Sequence, residues 1–152
     1  DSYSKYLEYP ELEEYLKKNI DEQWPAHIQL LKDALLRGRE SSEQINILGD
    51  DGVPVDYHIT FWKSEVIDFV ILQQDAFDDI DAQTSIERQK YMLEKVLNIY
   101  HTEFSFEHFE EVNEYFKRMI DELRQMNYSE FKSDKFHQFE QELEKIIEER
   151  KA

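Results

Sequence analysis

Apolar side chains recur every three or four positions along almost the whole chain, which is the spacing of amphipathic α-helices. Glycine and proline, the residues that most often interrupt helices, occur only three times each. The pattern therefore predicts an all-α fold, a bundle of about six helices in a single domain over residues 1–152.

The first half of the chain predicts two short helical segments in residues 3–20 and then a long helix. Asp21 is a plausible N-cap for the long helix. Its apolar stripe consists of Ile28, Leu31, Leu35 and Leu36. Gly38 is expected to weaken this helix, since glycine is a poor helix former, and Ser41 or Ser42 can cap a short continuation that ends at Leu48.

The second half predicts four more helices. One covers residues 57–70, and the next begins at Thr84, which forms a capping box with Glu87. Ser105 is a candidate cap for the following helix. A break over residues 127–133 separates that helix from a last amphipathic one.

A loop separates the first long helix from the helix over residues 57–70. Two glycines, a proline and three aspartates within eight residues are typical of an exposed turn. We expect three exposed acids and two exposed valines here. The loop residues are Gly49, Asp50, Asp51, Gly52, Val53, Pro54, Val55 and Asp56.

Acidic residues outnumber basic ones by 35 to 18, which gives a net charge of −17 distributed along the chain. This balance argues against binding to nucleic acid, which needs clustered Lys and Arg, and against anionic membrane surfaces. It permits a basic protein partner. The absence of cysteine excludes disulfides and thiolate metal sites, so a reducing cytoplasm is the simplest setting. No apolar run approaches the ~20 residues that span a bilayer.

Candidate metal and cofactor chemistry is weak. The acid cluster of Asp75, Asp78, Asp79 and Asp81 lacks the order of an EF-hand loop. The five histidines do not have zinc-helix spacing and are expected to be ordinary, partly exposed residues: His27, His58, His101, His108 and His137. We expect no metal site.

Phenylalanines at helical spacing predict a part of the core: Phe104, Phe106, Phe109 and Phe116. The glutamates beside them predict a solvated helix face: Glu107, Glu110, Glu111 and Glu114.

Several short motifs resemble a known family. Gln-Gln-Asp-Ala-Phe-Asp-Asp-Ile-Asp at residues 73–81, followed by residues 84–93, is similar to a segment of the catalytic A subunit of V-type and archaeal A-type rotary ATPases. Ser-Tyr-Ser-Lys-Tyr at residues 2–6 and Ile-Asn-Ile-Leu-Gly-Asp at residues 45–50 resemble other motifs of that subunit. The resemblance covers residues 2–100, with the motifs in the same order.

The resemblance implies a role for this chain as an excised C-terminal domain. The A subunit binds ATP with Mg through a phosphate loop, and no glycine of this chain begins that motif, so the chain alone is expected to be inactive. By resemblance, Phe77 would form one wall of the adenine pocket in the full subunit. The loop over residues 49–56 would contact the rotor.

The partners implied by the resemblance are the nucleotide-binding domain of the same subunit, neighbouring B subunits and the central-stalk subunits. The domain would couple ATP hydrolysis or synthesis to stalk rotation and ion translocation, as a cytoplasmic, peripheral part of a membrane complex. Two other classes of function stay open at this point: a free-standing acidic helical adaptor that binds a protein partner, and a helical enzyme that binds a small molecule or metal.

Overall fold

The chain forms a bundle of α-helices in a computed structural model that describes residues 24–74 and 82–152. The helices are α1 (Trp24–Leu48), α2 (Val55–Gln74), α3 (Ala82–His101), α4 (Phe109–Tyr128) and α5 (Asp134–Glu149). The predicted all-α fold is confirmed. The two short segments predicted in residues 3–20, and the Asp21 cap, lie outside the described residues. None of the described helices is long and apolar enough to cross a lipid bilayer.

Helix α1 runs without a break for 25 residues, so the predicted separate continuation, capped by Ser41 or Ser42, is wrong. Gly38 lies where α1 packs on α2, and a Cβ built on it would come within 1.9 Å of Ser64 Oγ. Ser64 is completely buried, and its hydroxyl donates to the Phe61 carbonyl at 2.6 Å. Glycine is needed at this position for close approach of the two helices, and that packing outweighs its low helix propensity.

The core draws apolar side chains from all five helices. Its largest fully buried members include Leu31, Leu35, Ile67, Met92, Leu93, Phe116, Met119, Leu123 and Phe136. The predicted stripe of α1 is confirmed at three positions and wrong at the fourth, because Leu36 is 42% exposed. The phenylalanine run is confirmed as core at three of its four positions, since Phe104 and Phe116 are buried and Phe106 packs against the cluster. Phe109 is half-buried and stacks on His58 instead.

Two predicted N-caps are wrong. Helix α3 already includes Ala82, so Thr84 lies inside the helix and not before it. Helix α4 begins at Phe109 with His108 at its N-cap position, and the His108 side chain makes no capping bond. Ser105 lies in an extended segment instead, where its N–H donates to the Arg150 carbonyl at 2.9 Å. That tertiary hydrogen bond decides the backbone conformation.

The end of the chain packs back on the α3–α4 connection. Phe104 and Lys151 form an isolated antiparallel bridge, and the Ala152 N–H donates to the Glu103 carbonyl at 2.9 Å. Two ion pairs lie beside it, Arg150 with Glu111 at 2.7 Å and Arg118 with Glu149 at 2.8 Å. The break before α5 is confirmed in residues 129–133, and the Ser133 hydroxyl accepts a bond from the Phe136 N–H.

Candidate functional site

The turn between α1 and α2 is fixed by its own backbone. Gly49 has φ 87° and ψ 161°, a conformation that essentially only glycine adopts. Its N–H donates to the Ile45 carbonyl at 2.7 Å, and the Gly52 N–H donates to the Gly49 carbonyl at 3.0 Å. A 3-10 turn over Asp50–Gly52 follows, and α2 begins at Val55. The predicted loop is therefore shorter than expected, because Val55 and Asp56 belong to the first turn of α2.

A buried histidine connects this turn to the bundle. His58 is only 3% exposed, and its Nε2–H donates to the Asp50 carbonyl at 2.9 Å. Its ring stacks on Phe109 of α4, with centroids 5.2 Å apart and planes at 25°. The expectation of a partly exposed residue is wrong for His58, since an aromatic ring covers it and a carbonyl satisfies its polar atom. The turn is thereby tied to both α2 and α4.

A second contact between α2 and α4 lies one turn further along α2. Trp62 Nε1–H donates to Asn113 Oδ1 at 2.6 Å, and the indole stacks on Phe116 with planes at 10°. A cavity of about 220 Å³ lies between this contact and the turn, lined in part by Asn46 and Asp50. Of the groups that hold the turn, the His58 ring is buried in the bundle, whereas Gly49, Asp50 and Gly52 are exposed.

We use the name "tip" for the surface of residues 47–56. Its three acids, Asp50, Asp51 and Asp56, are exposed as predicted. The two valines are not: Val53 and Val55 are half-buried, and Val55 packs against the core. The exposed apolar residues are instead Ile47, at 74%, and Leu48, at 56%.

The sequence contained a signal for this apolar exposure. Ile47 lies three and four positions after Gln44 and Glu43, so it falls on the polar face of α1 and not on the core stripe. Both of these polar residues are exposed in the structure. Reading the face of α1 that does not carry the stripe would have identified Ile47.

A second polar cluster joins α3 to α5. Lys95 Nζ lies 2.8 Å from Glu140 Oε2 and 2.6 Å from Glu144 Oε1, and the Tyr91 hydroxyl also donates to Glu140. Burial, together with the Glu140 carboxylate, raises the pKa of Tyr91 to about 12. Burial alone would raise the pKa of Glu140, but the hydrogen bonds from Lys95, Tyr91 and His137 lower it. The cluster holds α5 against α3, a structural role.

Phe77 and the acid cluster of Asp75, Asp78, Asp79 and Asp81 lie outside the described residues. The adenine role of Phe77 therefore stays a prediction. Within residues 24–74 and 82–152, no group of three or more His, Asp or Glu side chains is arranged to hold a metal ion.

Comparison with known proteins decides the family. The sequence matches, over residues 13–116, the family model described as the C-terminal domain of V and A type ATP synthase. The chain belongs to this family. The resemblance read from its motifs is confirmed, and both the tip and Phe77 fall within the matched residues.

Named relatives agree with this V/A-type assignment. The V-type ATP synthase alpha chain of Borrelia duttonii (strain Ly) is 37% identical over 91 residues, which are 60% of this chain and 15% of that protein. The alpha chain of Borreliella burgdorferi (strain ZS7) is 38% identical over 91 residues, with the same coverage of 60% and 15%. That of Borreliella afzelii (strain PKo) is 34% identical over 97 residues, 64% of this chain and 16% of that protein. No solved structure matches significantly.

The chain spans about 15% of the length of these curated relatives. The match to the V/A-type domain family ends at Phe116, in the middle of α4. The rest of α4 and all of α5 nevertheless contribute core residues such as Leu123, Phe136 and Leu143. Residues 117–152 are thus an integral part of the bundle.

Proposed function

We propose that this V/A-type domain transmits force between a nucleotide site and the central stalk of a rotary ATP synthase. ATP with Mg would be bound and hydrolysed, or formed, in the nucleotide-binding domain of the same subunit, next to neighbouring B subunits. Movement of the helical bundle would then push the stalk through the tip and so drive ion translocation. The names of the relatives support the assembly, and the structure of the tip supports the mechanical role.

The observation that carries the proposal is the path of α2. This helix has 20 residues without glycine or proline, so it extends for about 30 Å. The tip lies at its first residue, and Phe77 follows three positions after its last. One uninterrupted helix therefore connects the predicted rotor contact to the chain segment predicted to touch the nucleotide.

The tip itself has the properties that a pushing surface needs. It is exposed at its acids, its backbone is closed by its own hydrogen bonds, and His58 connects it to two helices. A contact that transmits force must resist displacement. A turn that is tied to buried side chains resists it better than a free loop does.

The experiment uses the full-length alpha chain in the reconstituted complex, with rotation and ions pumped per ATP as readouts. Deletion of residues 50–53 should lower coupling severalfold while ATP hydrolysis continues, because it shortens the contact. His58→Ala should lower coupling less, since it loosens the turn without removing an exposed side chain. His101→Ala, at an exposed histidine at the end of α3, is the matched control. Intact assembly and coupling in both test variants would contradict the mechanical role.

The predicted adenine contact is tested separately by Phe77→Ala in the same full-length chain. Stacking of an aromatic ring on a base contributes ~1–3 kcal/mol, so nucleotide affinity should fall by roughly ten- to hundredfold. Titration with a fluorescent nucleotide measures this. Unchanged affinity together with a lower melting temperature would show that Phe77 is a core residue.

A further inference from the structure

The cavity beside the turn has no part in the proposed transmission of force. It has a volume of about 220 Å³, and it is lined by residues of α1, α2 and α4 and by the turn itself. Because one water occupies ~30 Å³, this volume corresponds to roughly seven waters, which is enough space for a small organic molecule. The lining side chains determine which kind of molecule fits.

The polar part of the lining comes from two helices and the turn. Ser42 and Asn46 of α1 contribute a hydroxyl and an amide, and Asp50 contributes a carboxylate. Within the part of the chain that the structure describes, none of these three side chains forms a hydrogen bond or an ion pair. Asn113 of α4 accepts a bond from Trp62 Nε1–H at 2.6 Å, which leaves its own amide N–H groups to donate. These groups can therefore bind a ligand that displaces water from the cavity.

Two aromatic rings line the same cavity. Phe61 and Trp62 are both half-buried. The indole is held by its bond to Asn113 and by its stack on Phe116, with centroids 6.4 Å apart, and Phe61 packs edge-on against it at 5.7 Å. Aromatic faces attract cations, and tryptophan does so most strongly. Rings that are already held in place lose little conformational entropy when a ligand packs on them.

The charge around the cavity favours a cationic ligand. Asp50 is the only acid among the lining residues, which include neither Lys nor Arg. Residues 40–62, which supply most of the lining, contain five acids and neither Lys nor Arg. A phosphate or carboxylate ligand would meet no cationic side chain here. An ammonium or guanidinium group would meet a carboxylate, amide oxygens and aromatic faces.

We propose that this cavity binds a small organic cation, an alkylammonium or alkylguanidinium compound with a short carbon chain. The cationic group would bond to Asp50, and the carbon chain would pack on Phe61 and Trp62. This site requires neither the nucleotide-binding domain nor the stalk, so it is independent of the proposed function. A bound molecule would contact α1, α2 and α4 together and would restrain the turn that joins α1 to α2.

The test uses the full-length alpha chain labelled with 5-fluorotryptophan, and the probes are n-butylammonium and n-butylguanidinium. The neutral and anionic counterparts of similar length are 1-butanol and butyrate. Titration at ~0.15 M salt, which screens general attraction to the acidic surface, is followed by the fluorine NMR signal of Trp62. Trp62→Phe identifies this signal. Both cations should shift it with a dissociation constant of about 1 mM, as expected for ligands of so few atoms, and the two counterparts should not.

Variants at exposed positions separate binding in the cavity from attraction to the surface. Asp50→Asn should weaken the binding of both cations by about tenfold, because it removes a charge-assisted hydrogen bond. The matched control is Asp51→Asn, which removes the same charge from the next residue, outside the lining, and should leave the affinity unchanged. Asn46→Trp should fill the opening and abolish binding. Equal losses in Asp50→Asn and Asp51→Asn would overturn the proposal, as would equal binding of 1-butanol or binding that Asn46→Trp leaves unchanged.

Amide hydrogen exchange gives a second measurement, on the turn itself. The Gly49 N–H donates to the Ile45 carbonyl and the Gly52 N–H to the Gly49 carbonyl. Saturating n-butylguanidinium should slow the exchange of these two amides severalfold, because opening of the turn would break the contacts of the bound cation. Mass spectrometry of the full-length chain measures this, with butyrate as the control. Unchanged exchange would place the bound cation outside the cavity and contradict the proposed site.

Discussion

Two connections between long helices are built in opposite ways. The α1–α2 connection begins with two apolar side chains that are largely in solvent, Ile47 and Leu48 at the end of α1. The α3–α4 connection buries Phe104, whose ring packs edge-on against Tyr115 and Phe116 at 5.5 Å. Both connections use backbone hydrogen bonds and packed aromatic rings, so the difference lies in what covers them.

The cover of the α3–α4 connection comes from distant parts of the chain. Lys63 of α2 donates to the carbonyls of Tyr100 and Thr102, at 3.0 and 2.6 Å. Residues 150–152 add the backbone bonds to Glu103 and Ser105. The described structure shows nothing comparable over the tip. One connection therefore contributes to stability, and the other presents a surface.

The difference between the two connections is tested most directly by removing one apolar side chain from each of them. Phe104→Ala should lower the free energy of unfolding by about 3–5 kcal/mol, because it leaves a cavity among aromatic rings. Ile47→Ala should change it by less than about 0.5 kcal/mol, as expected for an exposed site. Chemical denaturation of both variants measures the difference. Similar values for the two would show that the tip is part of the folded core.

A smaller effect on stability is expected where α1 packs on α2, at Gly38. Gly38→Ala should destabilise the chain by about 1–2 kcal/mol, because overpacking against Ser64 exceeds the helix propensity that alanine gains. Ser64→Gly in the same background should recover part of the loss, since the Cβ of Ser64 would be only 2.2 Å from the new methyl group. A double-mutant cycle gives the coupling. Additive effects would mean that the helices separate at this crossing.

The smallest expected effect concerns the stability of the fold at acid pH. The lowered pKa of Glu140 means that its carboxylate stabilises the fold above the ordinary glutamate value of 4.5, and that this stabilisation is lost as the pH falls through the lowered native pKa. Glu140→Gln should therefore lower the free energy of unfolding by about 1 kcal/mol near pH 7. The loss of stability between neutral and acid pH should be smaller in this variant than in the wild type. Asp51→Asn, at the tip, controls for the loss of one charge. An unchanged loss of stability at acid pH in Glu140→Gln would assign acid sensitivity to another group.

Features that depend only on residues close together in the sequence could be predicted from it. The stripe of Ile28, Leu31 and Leu35 needs only the period of a helix. The break near residue 50 needs only glycine, proline and aspartate close together. The family, too, follows from short motifs in order.

Features with a distant cause were missed. The sequence around Gly38 indicates only a weakened helix, because Ser64, the side chain that Gly38 accommodates, lies on another helix. Ser105 has the chemistry of a cap, but its N–H is paired with Arg150. The burial of His58 depends on Phe109 in the same way. In each case the deciding contact joins residues far apart in the sequence, which a local pattern does not contain.

The unbroken course of α2 has a consequence for compliance. When a force passes through several structural elements one after another, the most easily deformed element determines the total displacement. A packed helix deforms little along its axis, since each residue adds a hydrogen bond parallel to it. Between Ile47 and Gln74, the compliant element is the short turn after Leu48, held by a few bonds and the His58 ring. The deformability of that turn would then determine how much of a displacement at Gln74 arrives at Ile47.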